Sequence, residues 1–335
     1  MSRNSKPRIV VIGAGNLPVN FHLPSQQHLA KSGRSVLAAI CDINPKAAAS
    51  AAKEFNIPAV YSNYTEMLNV EKPDGVIVVV PTKFTAPVAS AVLSRGFPVF
   101  LEKPPGASPR ECRQIIAASK KGRAPSVVAF NRRHCPVLVQ GKAEVLKRGA
   151  IKGASARMYR FNRDDDDFFY GTGIHSLDAL RYFGGDIDRV ELDRRTLARG
   201  ERPAYTLIVS YKNGGVGTLS IRPQSGAHVE RYEIFGDNTI AFVRAGVGWL
   251  VDAPGSCTLY EKNKLIALSD PLKPFAKTRA NAKLQSAIAG GFFGENAAFV
   301  DALSGKGKFQ PSAEESLQSV EIAQAVQNGR SWKRR

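Results

Sequence analysis

Gly13-Ala14-Gly15 follows directly on an apolar run that begins at Ile9. Glycines at a strand-to-helix junction let the chain turn tightly, and let its backbone approach a pyrophosphate seated on the helix N-terminus. The dinucleotide fingerprint places a third glycine or alanine at position 18, where this chain has Pro18. Proline is tolerated in a first helical turn, whose N–H groups lack intrahelical partners, but the helix must then pack differently on its strand. Asp42 ends the second predicted strand. A carboxylate there can accept from both hydroxyls of an adenosine ribose and would repel a 2′-phosphate. That favours NAD and leaves NADP open.

Two further groups have the chemistry of a reaction centre. Lys103 comes at the C-terminal end of a predicted parallel strand, where open α/β sheets place their ligands. Its neighbour Glu102 either orients Lys103 or the cofactor, or forms a structural ion pair. His175 is a histidine, the side chain suited to take and return a proton near neutral pH. Asp178, three residues on, shares its helical face and could orient His175 or bond a substrate hydroxyl. His22, His28, His134 and His228 have no such context and read as structural.

The elements that must position these groups change character along the chain. Up to residue 130, Arg8 to Gly13, Val36 to Asp42, Gly75 to Val80, Pro98 to Glu102 and Ser126 to Asn131 are near-continuously apolar, as strands buried on both faces are. Helical stretches alternate with them. Asn44-Pro45 caps one, and Ser108-Pro109-Arg110-Glu111 is a capping box opening another. Such alternation implies a doubly wound parallel sheet. Beyond residue 150, Ala154 to Phe161, Tyr205 to Tyr211, Val216 to Ile221 and Val229 to Phe235 read as strands, with a hairpin signal at Asn213-Gly214-Gly215. A helix is expected near Ile174 to Phe183. Ser312-Ala313-Glu314-Glu315 should start a last helix running to about Gln327. The expected fold is α/β: a Rossmann domain over 1–130, then an α+β domain over 131–335 with a large open antiparallel sheet, whose last helix could pack back on the first domain.

The chain has 335 residues, 43% hydrophobic and 23% charged, enough for two domains with real cores. No run approaches the ~20 apolar residues of a membrane span. The short polar N-terminus lacks the pattern of a secretion signal, so a cytoplasmic location is expected. Cys41, Cys112, Cys135 and Cys257 form no CxxC pair, which argues against a disulfide framework and a zinc site. No metal is expected. Lys plus Arg outnumber Asp plus Glu by 47 to 29, a net charge of +18. A positive field favours anionic ligands but does not define one. No nucleic-acid motif accompanies it. The Asp164-Asp165-Asp166-Asp167 run reads as a solvated acidic loop near a helix N-terminus.

At Leu101-Glu102-Lys103-Pro104-Pro105 the chain resembles the Gfo/Idh/MocA oxidoreductase family. Asp74 to Pro81 and Gly96 to Pro104 carry the likeness. Phe130-Asn131-Arg132-Arg133, Gly173-Ile174-His175-Ser176-Leu177-Asp178, Gly291-Phe292 through Phe299 and Pro311-Ser312 extend it over nearly the whole chain. The resemblance implies a nicotinamide-dependent dehydrogenase or reductase. It would act on a secondary alcohol or ketone of a sugar, cyclitol, sugar acid or nucleotide sugar. It places Gly13, Gly15, Asn16, Leu17, Asp42, Pro81, Thr82, Glu102, Lys103 and Asn131 at the cofactor, and Lys103, His175 and Asp178 at the chemistry. It also implies a cis Lys103–Pro104 bond and a homo-oligomer paired through the open sheet. Two positions depart from the pattern. Gly171 stands where many relatives have Asp, and Thr85 where they often have His. Another carboxylate, the Asp164–Asp167 run included, could substitute for the first. Arg132, Arg133 and Arg160 are candidates to bind an anionic substrate group bidentately. The family also implies two alternatives: cleavage of a glycoside through transient oxidation, and a non-catalytic nucleotide sensor.

Overall fold

The structure is a computed structural model that describes residues 6–196, 200–276 and 281–334. It divides into two compact units. The first runs to Ala129 and takes in Phe292–Leu317; the second runs from Phe130 and takes in Ile288–Gly291 and the chain from Gln318 onward.

The first unit is built on six parallel strands: β1 (Arg8–Ile12), β2 (Val36–Cys41), β3 (Ala59–Tyr61), β4 (Gly75–Val78), β5 (Val99–Glu102) and β6 (Ser126–Ala129). Their order is β3-β2-β1-β4-β5-β6, so the winding reverses between β1 and β4. At such a switch point the loops leaving neighbouring strands part and open a crevice at the C-terminal edge. Every residue of β4, β5 and β6 is buried, which explains their largely apolar sequences; Glu102 at the end of β5 and Ser126 at the start of β6 are the polar exceptions. Helices α1 (Leu23–Lys31), α2 (Pro45–Phe55), α3 (Tyr64–Glu71), α4 (Thr82–Ser94) and α5 (Pro109–Gly122) alternate with the strands. Asn44 caps α2 by accepting from the N–H groups of Lys46 and Ala47. Ser108 caps α5 by accepting from the Glu111 N–H at 3.3 Å. Ile9, Val11, Ile40, Ile77 and Phe100 form the core with Phe55 of α2.

The second unit carries α6 (Pro136–Leu146), α7 (Ile174–Gly184) and a nine-stranded sheet. Its strands are β7 (Gly153–Tyr159), β8 (Ile187–Arg195), β9 (Ala204–Tyr211), β10 (Val216–Arg222), β11 (Val229–Gly236), β12 (Thr239–Arg244), β13 (Ser256–Glu261), β14 (Lys264–Ile266) and β15 (Trp332–Lys333). The order is β14-β13-β12-β11-β7-β10-β9-β8-β15. All neighbours are antiparallel except β7 and β10, so the sheet is mixed rather than wholly antiparallel. The Asn213–Gly215 signal is the β9–β10 turn, where Gly214 has φ +85°. Helices α8 (Lys273–Ala276), α9 (Ala282–Ala289), α10 (Phe292–Leu303) and α11 (Ala313–Gln327) complete the chain. Phe299 and Val300 of α10 join the core of the first unit. The Ser312/Glu315 capping box is reciprocal: Ser312 Oγ accepts from the Glu315 N–H at 3.1 Å, and the Glu315 carboxylate from the Ser312 N–H at 2.7 Å.

Two helices begin with a single π-helical turn. Pro18–His22 precedes α1, and Phe169–Gly173 precedes α7. A π-turn accommodates one extra residue and is enriched at functional sites. Pro18 is buried in the first, with its carbonyl accepting from the Leu23 N–H. Pro18 is thus the first residue of this wide turn.

Candidate active site

In the first unit the candidate residues gather at the C-terminal edge of the parallel sheet. Gly13 has φ +112°, and a Cβ there would run into the Val79 carbonyl oxygen beyond β4. Only glycine fits both constraints. Gly15 is the reverse: nothing lies within 4 Å of its Cβ position. Open space thus stands over the turn, bordered by exposed Asn16 and half-buried Leu17. The Asp42 carboxylate spans the same turn, accepting from the Ala14 N–H at 2.7 Å and the Asn44 N–H at 2.8 Å. A carboxylate has about four acceptor sites, so it keeps capacity for two ribose hydroxyls. Glycine turn, open space and residual acceptors fit the phosphates and ribose of a dinucleotide. Exposed Pro81 caps α4, with Thr82 half-buried beside it, while Thr85 is buried and offers no group to solvent.

Lys103 is half-buried just past β5, and its bond to Pro104 is cis. Glu102 beneath it is buried, with a contact on each carboxylate oxygen. One carboxylate oxygen accepts from the Lys103 backbone N–H at 3.1 Å, and the other lies 2.9 Å from His22 Nε2. His22, without a motif in the sequence, has no exposed surface and lies directly against Glu102. Glu295 brings a third potential ligand group to this cluster, all within 4.8 Å. The cluster does not suit a metal. A metal-bound histidine donates from its other ring nitrogen, whereas His22 Nδ1 faces the Asn296 amide nitrogen at 3.0 Å, itself a donor.

In the second unit His175 opens α7, nearly buried, with the Phe130 ring edge-on to it. Asp178 does not turn to His175. Its two oxygens take the Arg133 guanidinium bidentately, at 2.7 and 2.8 Å, and the Ser319 hydroxyl at 3.0 Å. Arg132 and Arg160 are not available for a substrate either. Both are buried against Glu230, Arg132 donating from Nε at 2.9 Å. Burial alone would raise the Glu230 carboxyl; the two guanidiniums reverse that and hold it at about 2. Tyr232 and Ser176 extend this cluster to α7 through hydroxyl contacts at 3.2 Å. Asn131, expected at the cofactor, is fully buried: its amide donates to the Gly290 carbonyl and its oxygen accepts from Arg132. Of the three arginines only Arg133 keeps exposed surface.

Around Arg133 the sequence reading missed Lys142. It donates to the Tyr182 carbonyl and sits 3.6 Å above that ring. Burial, then Arg133, lower its ammonium to about 8. His134 is pushed down to about 4 by burial and Arg133. The acidic run is exposed, with Asp164, Asp165 and Asp166 bonded to Gln224, Arg163 and Arg202. Asp167 differs: its carboxylate lies 3.6 to 3.8 Å from where a Gly171 Cβ would stand.

An open parallel sheet of this order, with a glycine turn at its switch point and an acid ending the adjoining strand, defines a dinucleotide-binding α/β protein. The chain belongs to the Gfo/Idh/MocA oxidoreductase family. Residues 7–130 match the profile described as oxidoreductase family, NAD-binding Rossmann fold, and residues 148–334 that of the oxidoreductase family C-terminal alpha/beta domain. The rhizopine catabolism protein MocA of Rhizobium meliloti is 23% identical over 232 residues, 64% of this chain and 70% of that protein. Inositol 2-dehydrogenase 2 of Saccharopolyspora erythraea is 28% identical over 186 residues, 53% of each chain. The chain thus spans about half the length of the second relative. An oxidoreductase from Agrobacterium radiobacter, solved with NAD+, L-tartaric acid and magnesium, superposes with a TM-score of 0.77 at 19% identity, covering 98% of both chains. At that identity the likeness is one of fold. No helix among the described residues is long and apolar enough to cross a membrane.

Proposed function

We propose that the protein interconverts a secondary alcohol and a ketone on a sugar-like or cyclitol-like molecule, using NAD in preference to NADP. The observation that carries this reading is Lys103 at the C-terminal edge of the parallel sheet, rooted by Glu102, in the same unit as the glycine turn and Asp42. The names of the relatives, inositol 2-dehydrogenase and D-glucoside 3-dehydrogenase, support polyhydroxylated substrates.

The chemistry that a bound nicotinamide would supply is the acceptance or return of a hydride. The chain's own residues do the rest. The Gly13–Gly15 turn binds phosphate, and Asp42 accepts from the ribose hydroxyls. The Lys103 ammonium donates to the reacting oxygen and stabilises its developing negative charge. His175 takes the hydroxyl proton on oxidation and returns it on reduction. Asp178 serves by holding Arg133, the one arginine of the three with exposed surface, toward an anionic substrate group. Asp167 supplies carboxylate charge beside Gly171.

The test is a screen of sugars, cyclitols and sugar acids with NAD and NADP, following formation of reduced nucleotide. On the substrate found, Lys103→Ala should lower kcat by about 10²–10³-fold, the cost of losing one oxyanion donor. NADH affinity should stay close to wild type. An unchanged kcat would remove Lys103 from the chemistry.

The open face of the second sheet is the proposed contact between copies. Strand register places Phe242, Tyr260 and Leu265 together on one face, all exposed, with exposed Ile208 on the same face four strands away. Contiguous exposed apolar surface marks interaction sites. Sedimentation should give a multiple of the chain mass, and a monomer would rule the contact out.

A further inference from the structure

The cluster under Lys103 can be resolved atom by atom. Asn296 donates from Nδ2 to the Phe292 carbonyl at 2.8 Å, and its Oδ1 accepts from Gln26 Nε2 at 2.9 Å. Flipping the amide would set its oxygen against a carbonyl oxygen, so the orientation is fixed. The nitrogen facing His22 is therefore a donor, and Nδ1 must accept. The ring proton then sits on Nε2, which donates to Glu102 Oε1. The other Glu102 oxygen accepts the Lys103 N–H. His22, Glu102 and Asn296 are all buried, so none of these bonds exchanges readily with water.

We infer that His22 is a positioning residue for Lys103: as the Nε2–H tautomer imposed by Asn296, it fixes one edge of the Glu102 carboxylate, whose other edge anchors the Lys103 backbone. This rests on the reading of Lys103 above and adds a component to it. His22 is also the last residue of the π-turn that follows the glycine turn. The polypeptide that binds phosphate and the residue that sets Lys103 are thus one short segment. A neutral imidazole suits the task, because it orients the carboxylate without neutralising its charge. Histidine at 22 is a donor of fixed direction; an apolar residue of similar size fills the space but lets the carboxylate turn.

The inference is tested with His22→Leu, His22→Gln and Asn296→Leu in the full-length protein, with thermal unfolding as the control for folding. Long-range nitrogen–proton correlation spectra, with the His22 signals assigned by their loss in His22→Gln, should show the neutral Nε2–H tautomer at neutral pH. An imidazolium or an Nδ1–H ring would overturn it. Competitive acylation with acetic anhydride, read by mass spectrometry, should change the reactivity of Lys103 alone in His22→Leu. His22→Gln, whose amide can both donate to Glu102 and accept from Asn296, should restore it. Unchanged Lys103 reactivity in folded His22→Leu would overturn the inference. On a substrate identified by the screen above, His22→Leu should lose tenfold to a hundredfold in kcat, the effect of misplacing a reacting group by about 1 Å, with KM little changed. A loss in KM alone would contradict a positioning role. Normal turnover by Lys103→Ala would defeat the reading of Lys103, while the tautomer and acylation results would still decide whether His22 positions it.

Discussion

In the first unit a buried carboxylate, Glu102, meets a neutral imidazole and a backbone N–H. In the second, Glu230 meets two guanidinium groups. The first arrangement leaves the carboxylate charge in place and fixes only its direction, beside a lysine that reaches solvent. The second cancels one charge with two, leaves a net positive charge in the core, and ties Arg132, Arg160, Tyr232 and α7 together. Breaking the first should therefore disturb chemistry more than stability, and breaking the second should do the opposite. Similar burial conceals this difference, and partner chemistry reveals it.

The largest effect on stability is expected at Glu230. Glu230→Gln leaves two buried cations without a counter-charge and should cost about 3–5 kcal/mol, read as a fall in unfolding midpoint. Because its folded carboxyl is held at about 2, below the ordinary 4.5, the contribution is complete above pH 4.5 and fades as pH falls from there toward 2. The wild type should lose more stability over that range than Glu230→Gln, and equal losses would show that the guanidiniums are not held by this charge. Asp178→Asn should cost less, about 2 kcal/mol, since charge-assisted bonds are lost but Arg133 can turn to water. An unchanged urea midpoint would class that pair with the solvated ones. His22→Gln should be smallest, under about 1 kcal/mol, because both hydrogen bonds can be remade. A loss as large as that at Glu230 would erase the contrast between the clusters.

The parts of the fold legible in the sequence were those set by local physics. Five of the six strands of the first sheet announced themselves because both their faces are covered, whereas edge strand β3 is short and partly exposed. The caps at Asn44, Ser108 and Ser312 formed because they need only neighbours three residues away. The strands not foreseen were β3, β8 and β12 to β15. In β8, Ile187-Asp188-Arg189-Val190-Glu191-Leu192-Asp193-Arg194-Arg195, only Ile187 and Val190 are buried, so charge masks the pattern. Pro18 was legible as a departure, but the π-turn that begins at it was not. At the site, Gly13, Asp42 and Lys103 were readable from spacing along the parallel sheet. His22 was not, because its partners Glu102 and Asn296 are distant in sequence and meet it only when α1, β5 and α10 pack. For the same reason Arg132 and Arg160 looked like anion binders until Glu230, far along the chain on β11, accounted for both.

The central claim is that the first unit holds a nicotinamide dinucleotide at the Gly13–Gly15 turn, with Asp42 selecting the form without a 2′-phosphate. Parallel fluorescence titrations with NADH and NADPH test it most directly. The account predicts saturable binding of NADH, tighter than that of NADPH, with the difference reduced in Asp42→Ser. Tighter binding of NADPH, or no binding of either by demonstrably folded protein, would contradict it.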